Sequence, residues 1–509
     1  MSFPLLFPVF SFSIRSVHVL LPGRRFRRGP VLYKPVREAY NHIIRKKRKN
    51  ERGRFMANSE NQNDFSKGSV IGNILSLALP MTLAQLINIL YNVVDRMYIG
   101  RLPENATLSL TGLGLCMPII SAVIAFANLF GMGGAPLCSI ARGKGDLKEA
   151  ERIMGNAFSM LLVTGVILTV IGLLFKRPLL YAFGASDATY PYADSYLTIY
   201  LLGTVFVMTS LGLNAYINAQ GFARIGMVTT LIGAVLNILL DPVFIFIFDM
   251  GVQGAAIATV ISQAASAVWT FRFLTGRGTI LRIRFSSMKP HWKTIGSITS
   301  LGLSGFMMSI TNSIVQVVCN STLSTYGGDL YVGVMTVVNS IREIVTMPVS
   351  GITNGSQPVI SFNYGAGKYD RIKKAIRFMS LSCIGYTVAI WGILHLFPVF
   401  FIHIFNTQPD LVEAAIPSMQ IYYFGFFMMS LQFSGQTVFQ ALGKAKFAIF
   451  FSILRKVVIV TPLTLLLPRV VTPAVNGVFL AEPISNFIGG AACFLTMLFV
   501  VRKELKKAS

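Results

Sequence analysis

The chain has 509 residues, of which 53% are hydrophobic and 13% are charged, and its formal net charge is +25. Soluble domains contain about 25% charged residues, and the mean hydropathy here is +0.62. This composition excludes an ordinary soluble enzyme and indicates a polytopic membrane protein. The five cysteines are scattered and form no CxxC pair, so they indicate neither a disulfide framework nor a metal site.

Apolar runs long enough to cross a bilayer recur along the chain. A hydrocarbon core of about 30 Å needs roughly 20 apolar residues in a helix. Barrel strands would alternate in polarity every second residue, which these runs do not, so we predict helices. The twelve predicted spans lie near residues 71–94, 110–133, 154–175, 195–217, 226–248, 254–275, 294–319, 331–357, 376–402, 417–438, 447–467 and 474–500.

The second half of the chain repeats the first at an offset of about 222 residues. APLCSIARGKGDLKEAERI from Ala135 resembles QPVISFNYGAGKYDRIKKA from Gln357, and NAQGFARIGM from Asn218 resembles QALGKAKFAI from Gln440. Each unit contains six predicted helices, an even number, so both units have the same orientation in the membrane. Two parallel lobes around a central cavity suit transport by alternating access.

We therefore predict an all-α polytopic membrane protein with twelve transmembrane helices in two six-helix repeats. The lobes are 68–275 and 294–500, the linker is 276–293, and the tails are 1–67 and 501–509. Residues 1–55 are dense in Lys and Arg, and Met56 opens a polar lead into the first span. We interpret 1–55 as upstream sequence from a mis-assigned start, and the alternative is a tail attracted to anionic lipid.

Lys and Arg concentrate in alternate connections between the spans. The positive-inside rule then places both termini in the cytoplasm of a multi-pass protein of the plasma (inner) membrane. The net positive charge needs no nucleic-acid partner to explain it. No GxxxxGK(S/T) motif is present, and no soluble segment is long enough for a nucleotide-binding domain. We expect coupling to an ion gradient, no catalytic residues and no cofactor.

Carboxylates interrupt two of the apolar spans, and at membrane depth such groups are usually functional. Asn237 and Asp241 are four residues apart in the fifth span, so they share a helix face. Pro242 has no N–H and therefore frees a backbone carbonyl that could bind a cation. The first span carries a polar stripe on one face, consisting of Gln85, Asn88, Tyr91, Asn92 and Asp95.

Two carboxylates in one water-accessible pocket would repel each other, which favours the binding of a proton or a sodium ion. The second repeat has Cys319 and Thr461 where the first has Asp95 and Asp241. The ion site is therefore predicted in the amino-terminal lobe. The alternatives are that Gln85 and Asn88 only join helices by hydrogen bonds and that Asp95 is solvated at its helix end.

The carboxy-terminal lobe keeps a different polar set, formed by Arg342, Glu343, Arg455, Lys456 and Glu482. Arg342 and Glu343 are adjacent, so on a helix they cannot face each other and each needs another partner. An Arg455–Glu482 pair between neighbouring spans could be structural, or these residues could bind substrate. The sequence leaves both interpretations open.

Several segments of this chain resemble the multidrug and toxic compound extrusion (MATE) family over roughly residues 68–500. They are LALPMTLAQLINILYNVVDRMYIGRL, NAQGFARIGMVTTLIGAVLNILLDPVFIFIFDMGVQGAAIATVISQ and GSQPVISFNYGAGKYDRIKKA. The resemblance implies a V-shaped pair of six-helix lobes that exports cationic or amphipathic compounds by antiport with protons or sodium. It also implies a coupling-ion site at Tyr91, Asp95, Asn237, Asp241 and Thr259, in which Asp95, Asn237 and Asp241 could hold sodium.

We thus expect a secondary active multidrug efflux transporter that acts as a monomer on small organic cations or amphipathic drugs in a lipid membrane. The runner-up function is a flippase for lipid-linked precursors from the same superfamily, because Arg342, Arg455 and Lys456 would make a basic lumen. A channel or a membrane scaffold is the third candidate, and it would need no ion gradient. The carboxylates of the first and fifth spans favour the transporter.

Overall fold

The computed structural model describes residues 63–102 and 106–506, and this part of the chain is helical and contains no strand. The expectation about 1–55 lies outside the described residues. The amino-terminal lobe consists of α1 (Val70–Ile99), α2 (Ala106–Gly143), α3 (Leu147–Ala182), α4 (Tyr190–Leu202), α5 (Thr204–Ala219), α6 (Ala223–Pro242) and α7 (Gly251–Thr275). The helices α4 and α5 meet at a bend of 56° and together form the fourth predicted span.

The carboxy-terminal lobe begins with the longest helix, α8, which has 74 residues. At 1.5 Å per residue it would be about 111 Å long, far more than a bilayer core of about 30 Å. Gly328 breaks it, with φ 66° and ψ −167°, so α8 comprises two spans joined at a glycine. The helices of this lobe are α8 (Trp292–Gly365), α9 (Tyr369–Leu396), α10 (Pro398–His403), α11 (Pro409–Tyr423), α12 (Phe426–Ala441), α13 (Ala445–Ile453), α14 (Thr461–Leu466), α15 (Ala474–Ser485) and α16 (Ala491–Lys506).

Nine helical stretches in the described ranges are long and apolar enough to cross a membrane, or ten if α4 and α5 form one bent span. One of these is α8, which contains the seventh and eighth predicted spans. The tenth predicted span corresponds to α11 and α12, which are interrupted near Phe424 and Gly425. The predicted all-α architecture of twelve spans in two lobes is confirmed.

Three spans contain a wide π-helical segment, at Val243–Ile247, Leu454–Val460 and Asn486–Gly490. The first follows Pro242 directly, and the second ends just before Pro462, the corresponding proline of the second repeat. Proline removes a backbone hydrogen-bond donor, and π-helical turns are frequent at functional sites. An irregularity was predicted at Pro242, and it lies in the turn that follows the proline.

The two lobes touch at the end of the molecule that the Lys and Arg distribution assigns to the cytoplasm. A Cβ atom on Gly143 would overlap the carbonyl oxygen of Phe362, and one on Gly365 would overlap that of Ile140. Gly143 and Gly365 are aligned in the sequence repeat, so each lobe contributes one of the two glycines. Here the backbones of α2 and α8 approach as closely as only glycine permits.

The segment before α1 joins the lobes at this same end. The Arg142 guanidinium of α2 donates to the Asn63 carbonyl at 2.8 Å, and Arg371 of α9 donates to the Phe65 carbonyl at 2.9 Å. The Asn363 amide of α8 also donates to the Phe65 carbonyl, at 3.0 Å. Phe65 is 2% exposed, so these contacts form a buried seam between the lobes.

Gly365→Ala is expected to lower the thermal unfolding midpoint of the purified protein, because the new methyl group would overlap the Ile140 carbonyl oxygen. Overpacking of this kind costs about 1–3 kcal/mol. Gly385→Ala is the matched control, since a Cβ atom there meets nothing within 4 Å. Equal midpoints for the two variants would contradict the close approach of α2 and α8.

Candidate functional site

Asp241 is completely buried inside the amino-terminal lobe. The helix α6 places Asn237 one turn before it, and the Asn237 Nδ2 atom donates to Asp241 Oδ1 at 3.1 Å. The same nitrogen lies 3.4 Å from the hydroxyl oxygen of Thr259 on α7. The structure therefore brings together the three predicted residues of the fifth and sixth spans.

Asp95 approaches this group from α1. It is 9% exposed and lines a cavity of about 260 Å³ that Tyr91, Asn237 and Thr259 also line. The alternative that Asp95 is merely solvated at its helix end is wrong, because its side chain is buried. Asp241 is not among the described residues that line this cavity, and it meets the site through its hydrogen bond with Asn237; the expectation that both carboxylates share one water-accessible pocket stays a prediction.

Three buried oxygen atoms of this group have no hydrogen-bond partner in the described part of the chain: Asp95 Oδ1, Asp241 Oδ2 and Asn237 Oδ1. An unsatisfied buried polar atom costs about 1–3 kcal/mol. A proton would turn one carboxylate into a donor, and carboxylate and amide oxygens are the ligands that hard cations prefer. The site therefore fits either a proton or a sodium ion.

The polar stripe of α1 borders a second space as well. Gln85, Asn88 and Asn92 line a cleft of about 470 Å³, with Glu343 of α8 in the wall contributed by the other lobe. Asn92 donates to the Asn88 backbone oxygen at 2.7 Å and to its side-chain oxygen at 2.8 Å. Among the described residues neither Gln85 nor Asn88 makes a hydrogen bond to another helix, so the interpretation of these amides as helix–helix links is wrong for this conformation.

A cluster of charged residues lies in the carboxy-terminal lobe, where three cations surround Glu482. Arg455 Nη2 is 2.5 Å from Glu482 Oε1, and Lys456 Nζ is 3.3 Å from Oε2. Arg342 Nη1 is 3.6 Å from Oε1 and donates to the Tyr422 hydroxyl at 3.1 Å. The Arg455–Glu482 contact expected from the sequence is therefore present as part of this larger basic cluster, which we define as Arg342, Arg455, Lys456 and Glu482.

Two cavities adjoin the basic cluster. One, of about 270 Å³, is lined by Arg342, Lys456 and Glu482, and the other, of about 320 Å³, by Arg342, Arg455 and Lys456. Glu343 lines both cavities, is exposed, and makes no ion pair in the described ranges. The expectation that Glu343 needs a partner is therefore not met among the described residues, and its carboxylate is available to a ligand.

Sequence reasoning missed several tyrosines that help to form these sites. Tyr196 and Tyr200 of α4 line the cavity next to Asp95. The Tyr422 hydroxyl accepts a hydrogen bond from Arg342. The spacing of four between Tyr196 and Tyr200 was a signal for a shared helix face. Tyr422 begins the run YYFGFFMMS, which could line a drug cavity but is more typical of packing against lipid or neighbouring helices, so the sequence favoured packing there.

A ladder of glutamines on α12 was also missed, although Gln432, Gln436 and Gln440 are four residues apart. Gln436 donates to the Ser452 hydroxyl at 2.6 Å, and Gln440 accepts from Gln357 at 3.0 Å. The ladder lines the 320 Å³ cavity. Its regular spacing in an apolar span was the available sign of a polar cavity wall.

Two six-helix repeats with buried polar sites are typical of polytopic membrane transporters, and comparison with known families makes the class of protein specific. The MatE family model matches residues 80–243 and 305–466, one stretch in each lobe. The chain belongs to the multidrug and toxic compound extrusion (MATE) family of membrane transporters.

Curated relatives extend the similarity over most of the chain. This chain is 26% identical over 401 residues to the multidrug export protein MepA of Staphylococcus aureus strain MSSA476. The matched region covers 78% of this chain and 87% of that protein. This chain is also 26% identical over 448 residues to MepA of Staphylococcus haemolyticus strain JCSC1435, covering 87% and 97%.

Solved structures share the fold. A MATE transporter in complex with MaD3S has a TM-score of 0.82 at 22% identity and covers 87% of this chain and 99% of that one. A MOP superfamily transporter from Pyrococcus furiosus, for which reverse polarity of the binding pocket suggests a different function, has a TM-score of 0.82 at 22% identity, with coverage of 87% and 98%. At this identity the likeness shows the fold alone.

Proposed function

We propose that the protein is a secondary active multidrug efflux transporter that exports cationic or amphipathic compounds in exchange for protons or sodium ions. The names of the MepA relatives support drug export. The observation that carries the coupling is the group of three unpartnered buried oxygens on Asp95, Asn237 and Asp241. The protein lies in the plasma membrane as a monomer with both termini in the cytoplasm, and it needs no cofactor besides the coupling ion.

The contacts between the lobes support alternating access. The first half of α1 packs on α8, where a Cβ atom on Gly355 would meet the Ala78 backbone at 2.6 Å. Further along the same two helices, the cleft of about 470 Å³ separates Asn92 from Glu343. The lobes are thus joined at the predicted cytoplasmic end and apart toward the other, which is the arrangement of an outward-facing state.

The transport cycle follows from the charges. In the outward-facing state a proton or a sodium ion enters through the cavity beside Asp95 and binds between Asp95 and Asp241. The bound cation offsets the charge of one carboxylate, which removes most of the repulsion between the two; α1 then repacks against α6, the cavity changes and the drug is released outside. The lobes then rock to the inward-facing state, discharge the ion and take up another drug molecule.

The test is transport by the purified protein in liposomes, with ethidium as the probe. An imposed pH gradient and an imposed sodium gradient are applied separately. Ethidium movement against its own gradient under one of them establishes antiport and identifies the ion. With folded protein, no movement under either gradient would overturn the proposal.

A flippase for lipid-linked precursors is the second candidate, and the specific observation that favours it is the basic cluster beside the two cavities. Lipid-linked precursors carry phosphate groups, which bind well to Arg and Lys. The unpartnered oxygens in the amino-terminal lobe favour the antiporter, because lipid flipping without a coupling ion leaves them unexplained.

Thr259→Val is expected to weaken coupling-ion binding only about two- to tenfold, the effect of one ordinary hydrogen bond. The Thr259 hydroxyl lies 3.4 Å from Asn237 Nδ2, so it supports the site at its edge. The ion concentration that gives half-maximal ethidium transport measures the change. Thr259→Ser keeps the hydroxyl and should behave as the unmodified protein; equal weakening in both variants would contradict a role for the hydroxyl.

A further inference from the structure

The charges around the carboxy-terminal cavities do not balance. Arg342, Arg455 and Lys456 contribute three positive charges, whereas Glu482 contributes one negative charge. Glu343 is the only other charged residue among the described residues that line the two cavities, and adding it still leaves an excess of positive charge. Uncompensated charge in a medium of low polarity is costly, so an anionic group that enters these cavities is stabilised.

The hydrogen-bond donors of the basic cluster are also in excess. Two guanidinium groups and one ammonium group carry many more N–H bonds than one carboxylate can accept. Glu482 and the Tyr422 hydroxyl are their only side-chain acceptors in the described ranges, and the buried Arg455 Nε has no partner. The contacts of Lys456 at 3.3 Å and of Arg342 at 3.6 Å are long for charge-assisted bonds. These two cations therefore keep N–H groups for a second acceptor.

The surroundings of the basic cluster suit an amphipathic molecule with charges of both signs. Glu343 faces the same cavities without an ion pair and can hold a cationic group. Met308, Met429, Phe433 and Phe451 line the larger cavity and offer an apolar and aromatic surface.

We propose that the two cavities beside the basic cluster bind zwitterionic amphiphilic compounds. The carboxylate of such a compound binds to Arg342 and Lys456, and its cationic end binds to Glu343. The proposal rests on the proposed efflux function and narrows its substrate class. Carboxylate and phosphate share the chemistry that Arg and Lys recognise, and we assign the site to a carboxylate on a drug-like compound.

The experiment uses rhodamine B and rhodamine B ethyl ester, which differ only in that the ester masks the carboxylate. Both dyes are followed in proteoliposomes under the gradient that drives ethidium transport, with protein-free liposomes as the blank. The unmodified protein should transport both. In Arg342→Gln the ratio of rhodamine B transport to ester transport should fall about tenfold, the effect of one charge-assisted contact.

Two further variants keep the result interpretable. Arg342→Lys retains the positive charge, so its ratio of rhodamine B transport to ester transport should stay close to that of the unmodified protein. Lys373→Gln removes a cation from an exposed pair with Asp370 on the surface of α9 and should leave the ratio unchanged. Because the readout is a ratio within one preparation, partial loss of folded protein does not alter it.

Each outcome separates the two proposals. Failure to transport ethidium and both dyes would overturn the efflux function itself. Transport of ethidium and the ester without rhodamine B, or an equal loss of both dyes in Arg342→Gln, would overturn the carboxylate site alone. Gradient-independent flipping of fluorescent phosphatidylserine without rhodamine B transport would assign the basic cluster to a lipid phosphate instead.

Discussion

Asp241→Asn is expected to reduce gradient-driven ethidium transport to the level of protein-free liposomes while the protein stays folded. Asparagine has the shape of aspartate, and its amide can still bond to Asn237, which now touches the carboxylate at 3.1 Å. It can neither take up a proton nor supply the charge that holds a cation in a buried site. The coupling step is lost, whereas packing around a completely buried side chain is preserved.

The control is Asp249→Asn, which removes an exposed carboxylate a few residues further along the chain. Asp249 has a φ of 52°, a conformation that asparagine adopts readily, so the backbone is not strained by the change. Transport and the thermal unfolding midpoint are measured for both variants. Unaltered ethidium transport in Asp241→Asn would contradict the coupling model. Equal losses of transport in Asp241→Asn and Asp249→Asn would contradict it as well.

Helix periodicity explains why much of the ion site was predictable. Residues four apart share a face, so the sequence places Tyr91 with Asp95 and Asn237 with Asp241 before any tertiary contact is known. The comparison of the repeats then separates scaffold from function, because Cys319 and Thr461 stand where the first lobe has carboxylates. What periodicity cannot provide is depth relative to a cavity. Asn237 and Thr259 line the cavity whereas Asp241 does not, and this difference depends on how α6 packs on α7, which one helix alone does not contain.

The break in α8 and the basic cluster illustrate two other limits of prediction from the sequence. The predicted spans 294–319 and 331–357 require a connection between them, but only the φ of 66° at Gly328 shows that the break lies at a single residue. The residues of the basic cluster come from α8, the π-helical segment Leu454–Val460 and α15. A pairing of Arg455 with Glu482 can be guessed from neighbouring spans. The addition of Lys456 and Arg342 to the same carboxylate depends on where three helical segments meet.

Glu482→Gln is expected to destabilise the protein strongly, because Glu482 is the carboxylate that balances three cations. Removing one partner of a buried ion pair costs about 3–5 kcal/mol, since the remaining charge stays buried and unpaired. Arg455, Lys456 and Glu482 are each only 6% exposed, so water replaces the lost carboxylate poorly. The thermal unfolding midpoint in detergent measures this without any transport assay. Glu413→Gln, at an exposed glutamate of α11, is the matched control and should leave the midpoint unchanged.

A double variant tests whether the loss arises from unbalanced charge. Glu482→Gln combined with Lys456→Met removes one cation together with the carboxylate, so it should be more stable than Glu482→Gln alone. Contacting residues in one ionic network are non-additive by about 0.5–3 kcal/mol. Additive effects, or a Glu482→Gln variant as stable as the Glu413→Gln control, would contradict the view that this carboxylate holds the basic cluster together. Recovery in the double variant would show that the fold tolerates the basic cluster only because Glu482 offsets part of its charge, which leaves the rest of that charge for a ligand.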